Sequence, residues 1–331
     1  MAIKICGTGS CLPRHCVSND DLSRIMDTSD EWIRSRTGIE TRHLVTEETT
    51  TFLSTEAAKS ALSEAKLAPE EIDLILAATI TPDHVIPSLA CEVQRELRAV
   101  NAVAFDICAA CSGFLFALNT AYAYLKSGQY KNALVIGAET LSKIMDWEDR
   151  STCVLFGDGA GAAVIKEEPG DAGIKSLVQG SDGAHGEALL CDGRPIANPY
   201  VEQTKPVPAY VHMDGQAVYK FAVRTVPDVI SRAIREAGLE PDQVDHFVLH
   251  QANIRIIESV AKRLHQPIEK FPANLQKCGN ISAASVPILL DDLNKSGRIK
   301  KGDTIVLAGF GGGLTWGAAV LTWLRRKING Q

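Results

Sequence analysis

The sequence predicts an α/β protein built from two pseudo-symmetric halves, residues 1–170 and 171–331. The first observation behind this prediction is an internal repeat. The segment Ala65–Leu76 aligns with Ala237–Val248, and each copy ends a helix, turns at a proline and enters a strand. A repeat of this kind favours two similar layers that pack face to face around a shared site.

The second observation is the alternation of strand and helix patterns within each half. The apolar segments Asn132–Ala138 and Asp303–Gly309 have the length of buried strands and occupy matching places in the repeat. The segments Thr51–Lys66 and Ala222–Ala237 carry apolar residues at helical spacing. Strands that alternate with helices favour a mixed sheet covered by helices in each half.

Composition and charge narrow the class of protein. The chain has 331 residues, is 45% hydrophobic and 22% charged, and carries a net charge of −6, which disfavours general affinity for nucleic acid. Its nine cysteines are scattered and odd in number, unlike a disulfide framework. It has no basic, apolar leader at the N-terminus and no apolar run of about 18 residues. These features predict a reduced, cytoplasmic protein.

Cys111 is the candidate nucleophile. It lies where the short apolar strand that begins at Phe105 gives way to a long helical stretch, which places the thiol at a helix N-terminus. A buried free cysteine is more often a core residue, but this position favours reactivity. Lowering the thiol pKa by about two units requires about 2.7 kcal/mol, and a helix terminus supplies about 2 kcal/mol at most. The hypothesis therefore requires an imidazole nearby.

His250 and Asn280 are the candidate partners in the second half. His250 follows the apolar strand Phe247–Leu249, and Asn280 precedes small residues and a helical stretch at the counterpart of the nucleophile turn. Alone, the histidine is more often a satisfied core residue and the asparagine a helix cap. Together with Cys111 they form a Cys/His/Asn set that a site between the two halves can bring together.

Two glycine-rich segments, Phe156–Gly161 and Gly309–Gly317, follow apolar strands. Each precedes a second strand-like run instead of a helix, so neither fits a dinucleotide-binding loop. Both are predicted to be tight hairpins, and the second can direct a backbone N–H at a reacting carbonyl. Cys108 and Cys111 match C-x-x-C, so a redox pair stays open as an alternative. Metal-ligand spacings are missing, and we expect no metal.

With these residues in view, the chain resembles the β-ketoacyl-acyl carrier protein synthase III family of thiolase-like condensing enzymes along nearly its whole length. The motifs that carry the resemblance are Asp30–Ile39, Cys111–Phe114, Asp149–Gly161, His250–Arg255, Gly279–Pro287 and Phe310–Gly317. The resemblance implies a thiolase-like fold in α-β-α-β-α layers and a homodimer. It also implies condensation of an acyl-CoA primer with malonyl-acyl carrier protein, without a cofactor.

The resemblance also implies roles for individual residues. Cys111 is the acylated nucleophile, His250 and Asn280 bind the malonyl thioester oxygen, and the backbone N–H groups of Cys111 and Gly312 form the oxyanion hole. The residues implied to bind coenzyme A are Trp32, Arg36, Arg150 and Asn253. The residues implied to bind the acyl carrier protein, whose acidic surface suits basic side chains, are Lys220, Arg255, Lys262 and Arg263.

Related families differ at these positions. Elongating synthases carry a second histidine where this chain has Asn280, thiolases carry a cysteine in the segment equivalent to Gly309–Gly317, and hydroxymethylglutaryl-CoA synthases use a glutamate. Chalcone-type synthases share Cys/His/Asn, but the Trp32/Arg36 block favours the primer-condensing family. Where family members have a phenylalanine that reaches into the partner subunit's acyl pocket, this chain has Ile86.

Two rival functions remain open at this point. The first is a related condensing enzyme or acyltransferase of secondary metabolism that shares the acyl-cysteine stage. The second is a redox or binding protein built around Cys108 and Cys111. The sequence leaves primer length and branching undetermined.

Overall fold

The structure, a computed structural model, describes residues 1–196, 198–201 and 209–324. Strands and helices alternate along the chain. The strands are β1 (Ala2–Cys11), β2 (His15–Ser18), β3 (Thr41–Leu44), β4 (Leu74–Ala78), β5 (Val103–Ile107), β6 (Asn132–Thr140), β7 (Asp158–Glu168), β8 (Ile174–Ser181), β9 (Leu189–Cys191), β10 (Val211–Met213), β11 (His246–Leu249), β12 (Thr304–Gly311) and β13 (Thr315–Thr322). The helices are α1 (Asn19–Leu22), α2 (Asp30–Thr37), α3 (Thr50–Ala65), α4 (Leu89–Leu97), α5 (Gly113–Lys126), α6 (Gly215–Glu236), α7 (Ile254–Arg263), α8 (Leu275–Cys278) and α9 (Ser285–Lys295).

The first sheet is formed by strands of the first half. Its five strands lie in the order β1-β7-β6-β4-β5. β4 runs parallel to β5 and β6, whereas β7 is antiparallel to β1 and β6. The chain leaves the edge strand β5 and reaches Cys111 within four residues of Ile107, so the sheet delivers the thiol at the carboxyl end of a strand.

The second sheet repeats this arrangement with strands of the second half. Its four strands lie in the order β11-β12-β13-β8, with β11 parallel to β12 and the other two pairs antiparallel. β11 and β12 therefore correspond to β4 and β6 of the first sheet. His250 directly follows β11, at the carboxyl end of that strand.

The two sheets and their helices form five layers. α5 and α9 lie between the sheets and share one buried apolar cluster with the inner faces of both. α3 and α4 cover the outer face of the first sheet, and α6 and α7 cover the outer face of the second. This confirms the predicted α-β-α-β-α fold, and it shows that the sheets meet across two helices instead of directly.

Helix ends are fixed by local chemistry. The Thr49 side chain accepts a hydrogen bond from the Phe52 N–H at the start of α3, and the Asp214 carboxylate accepts from two N–H groups at the start of α6. α3 ends where Lys66 adopts a left-handed conformation with φ 54°. The predicted amphipathic segments thus become the outer helices, whose apolar faces lie on the sheets.

The two glycine-rich segments differ in structure. Gly309–Gly317 spans the end of β12, a turn at 312–314 and the start of β13, which fits the predicted hairpin. The prediction for Phe156–Gly161 is wrong, because β6 ends at Thr140 and residues 141–157 connect it to β7. The physical reason is an interaction with the other half: the Gly157 N–H donates to the Asn280 carbonyl at 3.0 Å.

Within the described residues, no helix combines the length and the apolar character needed to cross a bilayer.

Candidate active site

Cys111 lies in a tight turn at 110–112 that leads into α5. Ala110 adopts a left-handed φ of 44°, and the Ser112 hydroxyl lies 2.7 Å from the Thr315 hydroxyl of the second half. The cysteine is 8% exposed. β12 packs against it so closely that a Cβ on Gly311 would lie 2.7 Å from the Cys111 nitrogen, which requires glycine there.

His250 is held by the second sheet. Its backbone N–H donates to the Ala308 carbonyl at 2.8 Å, and its ring meets Phe310 edge-on at a centroid distance of 5.3 Å. The residue is 2% exposed. Its Nδ1 atom is buried and has no hydrogen-bond partner among the described residues. The imidazole is therefore oriented mainly by packing.

Asn280 is clamped through its backbone and oriented through its side chain. Its backbone N–H donates to the Leu155 carbonyl at 2.9 Å, and its backbone carbonyl accepts from the Gly157 N–H. Its Oδ1 atom accepts from the Ser282 N–H at 2.8 Å. Because the amide oxygen is occupied in this way, the Nδ2 donors are left for the cavity. This geometry equips Asn280 to donate a hydrogen bond to a substrate oxygen.

The structure brings Cys111, His250 and Asn280 to one cavity of about 420 Å³. The cavity therefore joins the thiol of the first half to the imidazole and the amide of the second. Its other lining residues are mainly apolar and are Arg36, Leu155, Phe156, Leu189, Met213, Gly215, Val218, Tyr219, Ala252, Asn253, Arg255, Ile256, Phe310 and Gly311. A mainly apolar cavity that also holds a few polar groups suits an acyl thioester.

Both reactive groups are neutral in the resting cavity. Burial raises the pKa of the Cys111 thiol to about 12, with a further contribution from the nearby Glu139 charge, while hydrogen bonding by Ser282 opposes the shift. Burial lowers the pKa of His250 to about 3. The sequence suggested a thiol activated in advance by the helix terminus and an imidazole. The structure instead has a neutral thiol, and a neutral thiol that acts as a nucleophile has to lose its proton as it attacks.

The candidate coenzyme A residues cluster at the surface. The guanidinium groups of Arg36 and Arg150 lie 4.7 and 5.2 Å from the centre of the Trp32 ring. Arg150 also hydrogen-bonds to the backbone and the carboxylate of Asp27. An indole flanked by two cations suits a flat, anionic ligand such as a nucleotide.

Asn253 lines the cavity and also has a structural role. Its side chain caps α7 by accepting from the Arg255 N–H at 2.9 Å, and its Nδ2 donates to the Arg36 carbonyl at 3.0 Å. It thereby joins α7 to the end of α2.

The four candidate carrier-binding residues are exposed and lie on α6 and α7, which pack together. Arg255 donates to the Ser35 carbonyl and Arg263 donates to the Val223 carbonyl. Among the described residues, none of the four forms an ion pair with a carboxylate. Their charges thus remain available to an acidic partner. The four are Lys220, Arg255, Lys262 and Arg263.

Two further candidates, Gly312 and Ile86, are not among the residues that line the cavity. Gly312 begins the 312–314 turn, and a Cβ on it would lie 3.6 Å from the Ala110 side chain. Ile86 is 84% exposed and does not line the cavity of its own chain. Two roles stay predictions: donation by Gly312 to a substrate oxygen, and contact of Ile86 with a partner's pocket. The catalytic roles of Cys111, His250 and Asn280 also stay predictions.

Glu139 and Ser282 were missed in the sequence. Glu139 is fully buried at the end of β6, and its carboxylate accepts a hydrogen bond from the Ser282 hydroxyl at 3.2 Å. The one available signal was an acidic residue at the carboxyl end of an otherwise apolar strand. In the described part of the chain, no group of three or more His, Cys, Asp or Glu residues is placed to hold a metal ion.

Comparison with protein families gives two matches along the chain. The model for 3-oxoacyl-[acyl-carrier-protein] synthase III matches residues 105–183, and the model for its C-terminal part matches residues 234–323. The first match includes Cys111, and the second includes His250 and Asn280.

Relatives of known name cover nearly the whole chain. The chain is 48% identical over 324 residues to a β-ketoacyl-[acyl-carrier-protein] synthase III of Clostridium acetobutylicum, covering 98% of this chain and 99% of the relative. The crystal structure of the 3-oxoacyl-[acyl-carrier-protein] synthase III of Aquifex aeolicus is similar with a TM-score of 0.92 and 48% identity, covering 97% of this chain and 100% of that one. A priming β-ketosynthase of a polyketide pathway is similar with a TM-score of 0.92 and 36% identity, covering 98% of this chain and 97% of that one.

Proposed function

This chain belongs to the 3-oxoacyl-[acyl-carrier-protein] synthase III family, and from that premise we propose that Cys111, His250 and Asn280 are its catalytic residues. It is an acyltransferase that condenses an acyl primer with a malonyl thioester and so initiates fatty-acid synthesis. The observation that carries the assignment is the convergence of these three side chains from opposite halves on one cavity.

The first stage is transfer of the acyl group to Cys111. The sulfur attacks the thioester carbonyl of the acyl-CoA, the carbonyl oxygen becomes an oxyanion, and coenzyme A leaves with the proton that the thiol gives up. Backbone N–H groups of Cys111 and Gly312 stabilise the oxyanion. The tight packing of β12 on the nucleophile turn supports this pairing, because it holds the glycine-rich segment against Cys111.

The second stage is condensation with malonyl-acyl carrier protein. Loss of CO₂ from the malonyl group leaves an enolate, whose oxygen accepts hydrogen bonds from the neutral imidazole of His250 and the amide of Asn280. The carbanion attacks the acyl-cysteine and restores the thiolate, which is then protonated. The low pKa of His250 supports this role, because a neutral imidazole carries an N–H donor throughout the accessible pH range.

We assign substrate recognition to two surfaces. Trp32, Arg36 and Arg150 bind the adenine and phosphates of coenzyme A, supported by the placement of both guanidinium groups over the indole. The basic residues of α6 and α7 bind the acidic carrier protein, supported by their lack of carboxylate partners in the described residues. Asn253 lines the cavity and is hydrogen-bonded to the backbone of Arg36 and of Arg255, one residue of each surface.

We further propose a homodimer in which Ile86 reaches the acyl pocket of the partner subunit. β5 is an edge strand, and Val103 on it is 47% exposed. An unpaired strand edge is a surface on which another chain can pair, and Val85 and Ile86 are also exposed apolar side chains. We also propose that residues 1–170 and 171–331 are the two repeats, that the reaction needs no cofactor or metal, and that the protein acts in the cytoplasm.

Acylation followed by condensation tests the proposed function. Purified protein is mixed with acetyl-CoA, and the mass of each cysteine-containing peptide is measured. We expect an acetyl adduct on Cys111, its absence in Cys111→Ala, and formation of a 3-oxoacyl product when malonyl-acyl carrier protein is added. A disulfide between Cys108 and Cys111 without an adduct contradicts the assignment and supports the redox alternative.

The similarity to a priming β-ketosynthase of a polyketide pathway favours one second candidate, a role in priming secondary metabolism. The two roles share the acyl-cysteine stage and differ in the primer and the carrier. Acylation rates across straight and branched acyl-CoAs of increasing length, followed by condensation on a fatty-acid carrier and a polyketide carrier, separate them. Preference for the polyketide carrier favours the second candidate.

A further inference from the structure

Glu139 is a buried acid to which the proposed reaction gives no role. It lies at the end of β6, fully buried, and does not line the cavity. Its Oε2 atom accepts hydrogen bonds from the Thr81 hydroxyl at 2.6 Å and the Ile80 N–H at 3.1 Å. Its Oε1 atom accepts from the Ser282 hydroxyl at 3.2 Å. A buried carboxylate with this many donors is held in a fixed position.

Ser282 connects Glu139 to both reactive parts of the site. Its backbone N–H holds the Oδ1 atom of Asn280 at 2.8 Å. Its hydroxyl donates to Glu139, and hydrogen bonding by the same side chain lowers the pKa of the Cys111 thiol and so favours the thiolate form. The turn at 282–284 that carries Ser282 packs against the turn at 110–112 that carries Cys111.

A serine hydroxyl has a single proton to donate. While the Glu139 carboxylate accepts that proton, the Cys111 sulfur does not receive it. The Thr81 hydroxyl has no such choice, because its oxygen accepts from the Thr140 N–H at 2.8 Å and its proton goes to Glu139. Ser282 is thus the donor in this network that two competing acceptors share.

We propose that Glu139 is a positioning residue for the nucleophile: ionised, it holds the Ser282 proton away from the Cys111 sulfur, and neutral, it releases that proton to stabilise the thiolate. This inference rests on the proposed function of Cys111 as the nucleophile. It adds a control on when the thiol becomes reactive, which neither the fold nor the Cys/His/Asn set supplies.

Glu139 can change its charge near neutral pH. Burial raises its pKa to about 7, against the opposing effect of the hydrogen bonds that it accepts. The charge of Glu139 in turn raises the pKa of the Cys111 thiol. At the other end of the same hydroxyl network, Lys143 donates to Thr50 and forms an ion pair with Asp83 at 2.7 Å.

The test is the pH dependence of Cys111 alkylation by iodoacetamide, measured peptide by peptide so that other cysteines do not interfere. Alkylation follows the thiolate fraction and rises about tenfold per pH unit well below the thiol pKa. In the wild type the rise is shallower around pH 7, because Glu139 ionises there and disfavours the thiolate. In Glu139→Gln the alkylation rate should again rise about tenfold per pH unit. Above neutral pH, alkylation of this variant should be faster than that of the wild type, by about tenfold for each unit by which the thiol pKa falls.

A double-mutant cycle tests whether the effect passes through Ser282. We expect Glu139→Gln to accelerate alkylation less in a Ser282→Ala background than in the wild type, because only the direct effect of the charge remains. Glu64→Gln is the matched control: Glu64 likewise accepts from a backbone N–H and a threonine hydroxyl, both of Thr8, and does not line the cavity. Its alkylation profile should equal that of the wild type.

Three results overturn the proposal. The first is a pH profile of Cys111 alkylation in Glu139→Gln that equals that of the wild type. The second is an equal acceleration of alkylation by Glu139→Gln in the wild-type and Ser282→Ala backgrounds, and the third is the same change of the pH profile in Glu64→Gln. If Glu139→Gln does not fold, Ser282→Ala alone decides, because loss of the shared hydroxyl should slow alkylation below neutral pH and an unchanged rate contradicts the inference. Acetyl-adduct formation on wild-type Cys111 is measured first, so that failure of the proposed function is distinguished from failure of this inference.

Discussion

Replacing Asn280 with alanine should separate the two stages of the reaction. In the proposed mechanism the side chain donates to the enolate oxygen in the second stage. It contributes no donor to acyl transfer, in which backbone groups stabilise the oxyanion. Asn280→Ala is therefore expected to retain acylation of Cys111 within about threefold and to lose decarboxylation.

The magnitude follows from two contacts of the side chain. Loss of one donor to a developing oxyanion costs about 3 kcal/mol, or roughly a hundredfold in the rate of decarboxylation. The substitution also removes the Oδ1 atom that accepts the Ser282 N–H, and Ser282 is only 2% exposed. A buried N–H left without a partner costs about 1–3 kcal/mol, so the variant should also unfold more easily.

The assay measures each stage separately. Acylation is followed by mass spectrometry after mixing with acetyl-CoA, and decarboxylation by release of labelled CO₂ from malonyl-acyl carrier protein. Asn294→Ala is the control, because Asn294 is a buried asparagine that hydrogen-bonds to Thr8 and Glu64 away from the cavity. It should lose stability and keep both stages.

Equal loss of acylation and decarboxylation in Asn280→Ala would refute the division of roles. Retention of full decarboxylation would refute the claim that its amide stabilises the enolate. Loss of both stages in Asn294→Ala would show that destabilisation alone accounts for the effect.

Three further predictions follow from the geometry. Gly311→Ala should slow Cys111 acylation at least about tenfold and lower the melting temperature, because the added Cβ would lie 2.7 Å from the Cys111 nitrogen. Gly183→Ala is the control and should change neither the acylation rate nor the melting temperature, because no atom lies within 4 Å of its added Cβ. His250→Asn should reduce the loss of folding stability at acid pH, because burial lowers the pKa of His250 from 6.5 to about 3 and the unfolded chain therefore takes up the proton first. The free energy of unfolding of the wild type falls as the pH drops from 6.5 towards 3, by up to about 1.4 kcal/mol per pH unit, so the unfolding curves of the two proteins should diverge in that range. Arg150→Ala should raise the KM for acetyl-CoA about three- to tenfold with little change in condensation from pre-acylated enzyme, and an unchanged KM contradicts its assignment.

Several features of the site were predictable because they are encoded locally. The alternation of apolar runs and amphipathic stretches predicts strands and helices without knowledge of the partners, and the repeat predicts two similar layers. Cys111, His250 and Asn280 stand where strands end or helices begin, and those positions are visible in the sequence. The glycines of Gly309–Gly317 also predict the tight hairpin that forms between β12 and β13.

Other features depend on contacts between residues far apart in the chain. The segment at Phe156 resembles the hairpin at Gly309 in sequence, but it forms a bridge to Asn280 because the other half of the molecule offers a better partner. The roles available to Glu139 and Ser282 exist only because the chain brings those residues within hydrogen-bond distance.

By itself the sequence determined the order of elements, the two related halves and the candidate reactive side chains, since periodicity and turn chemistry act over a few residues. Only the tertiary structure decided that these side chains share one cavity and that its thiol and imidazole are neutral at rest. The reason is physical: burial removes water from an ionisable group, and how much water is removed depends on every element packed around it.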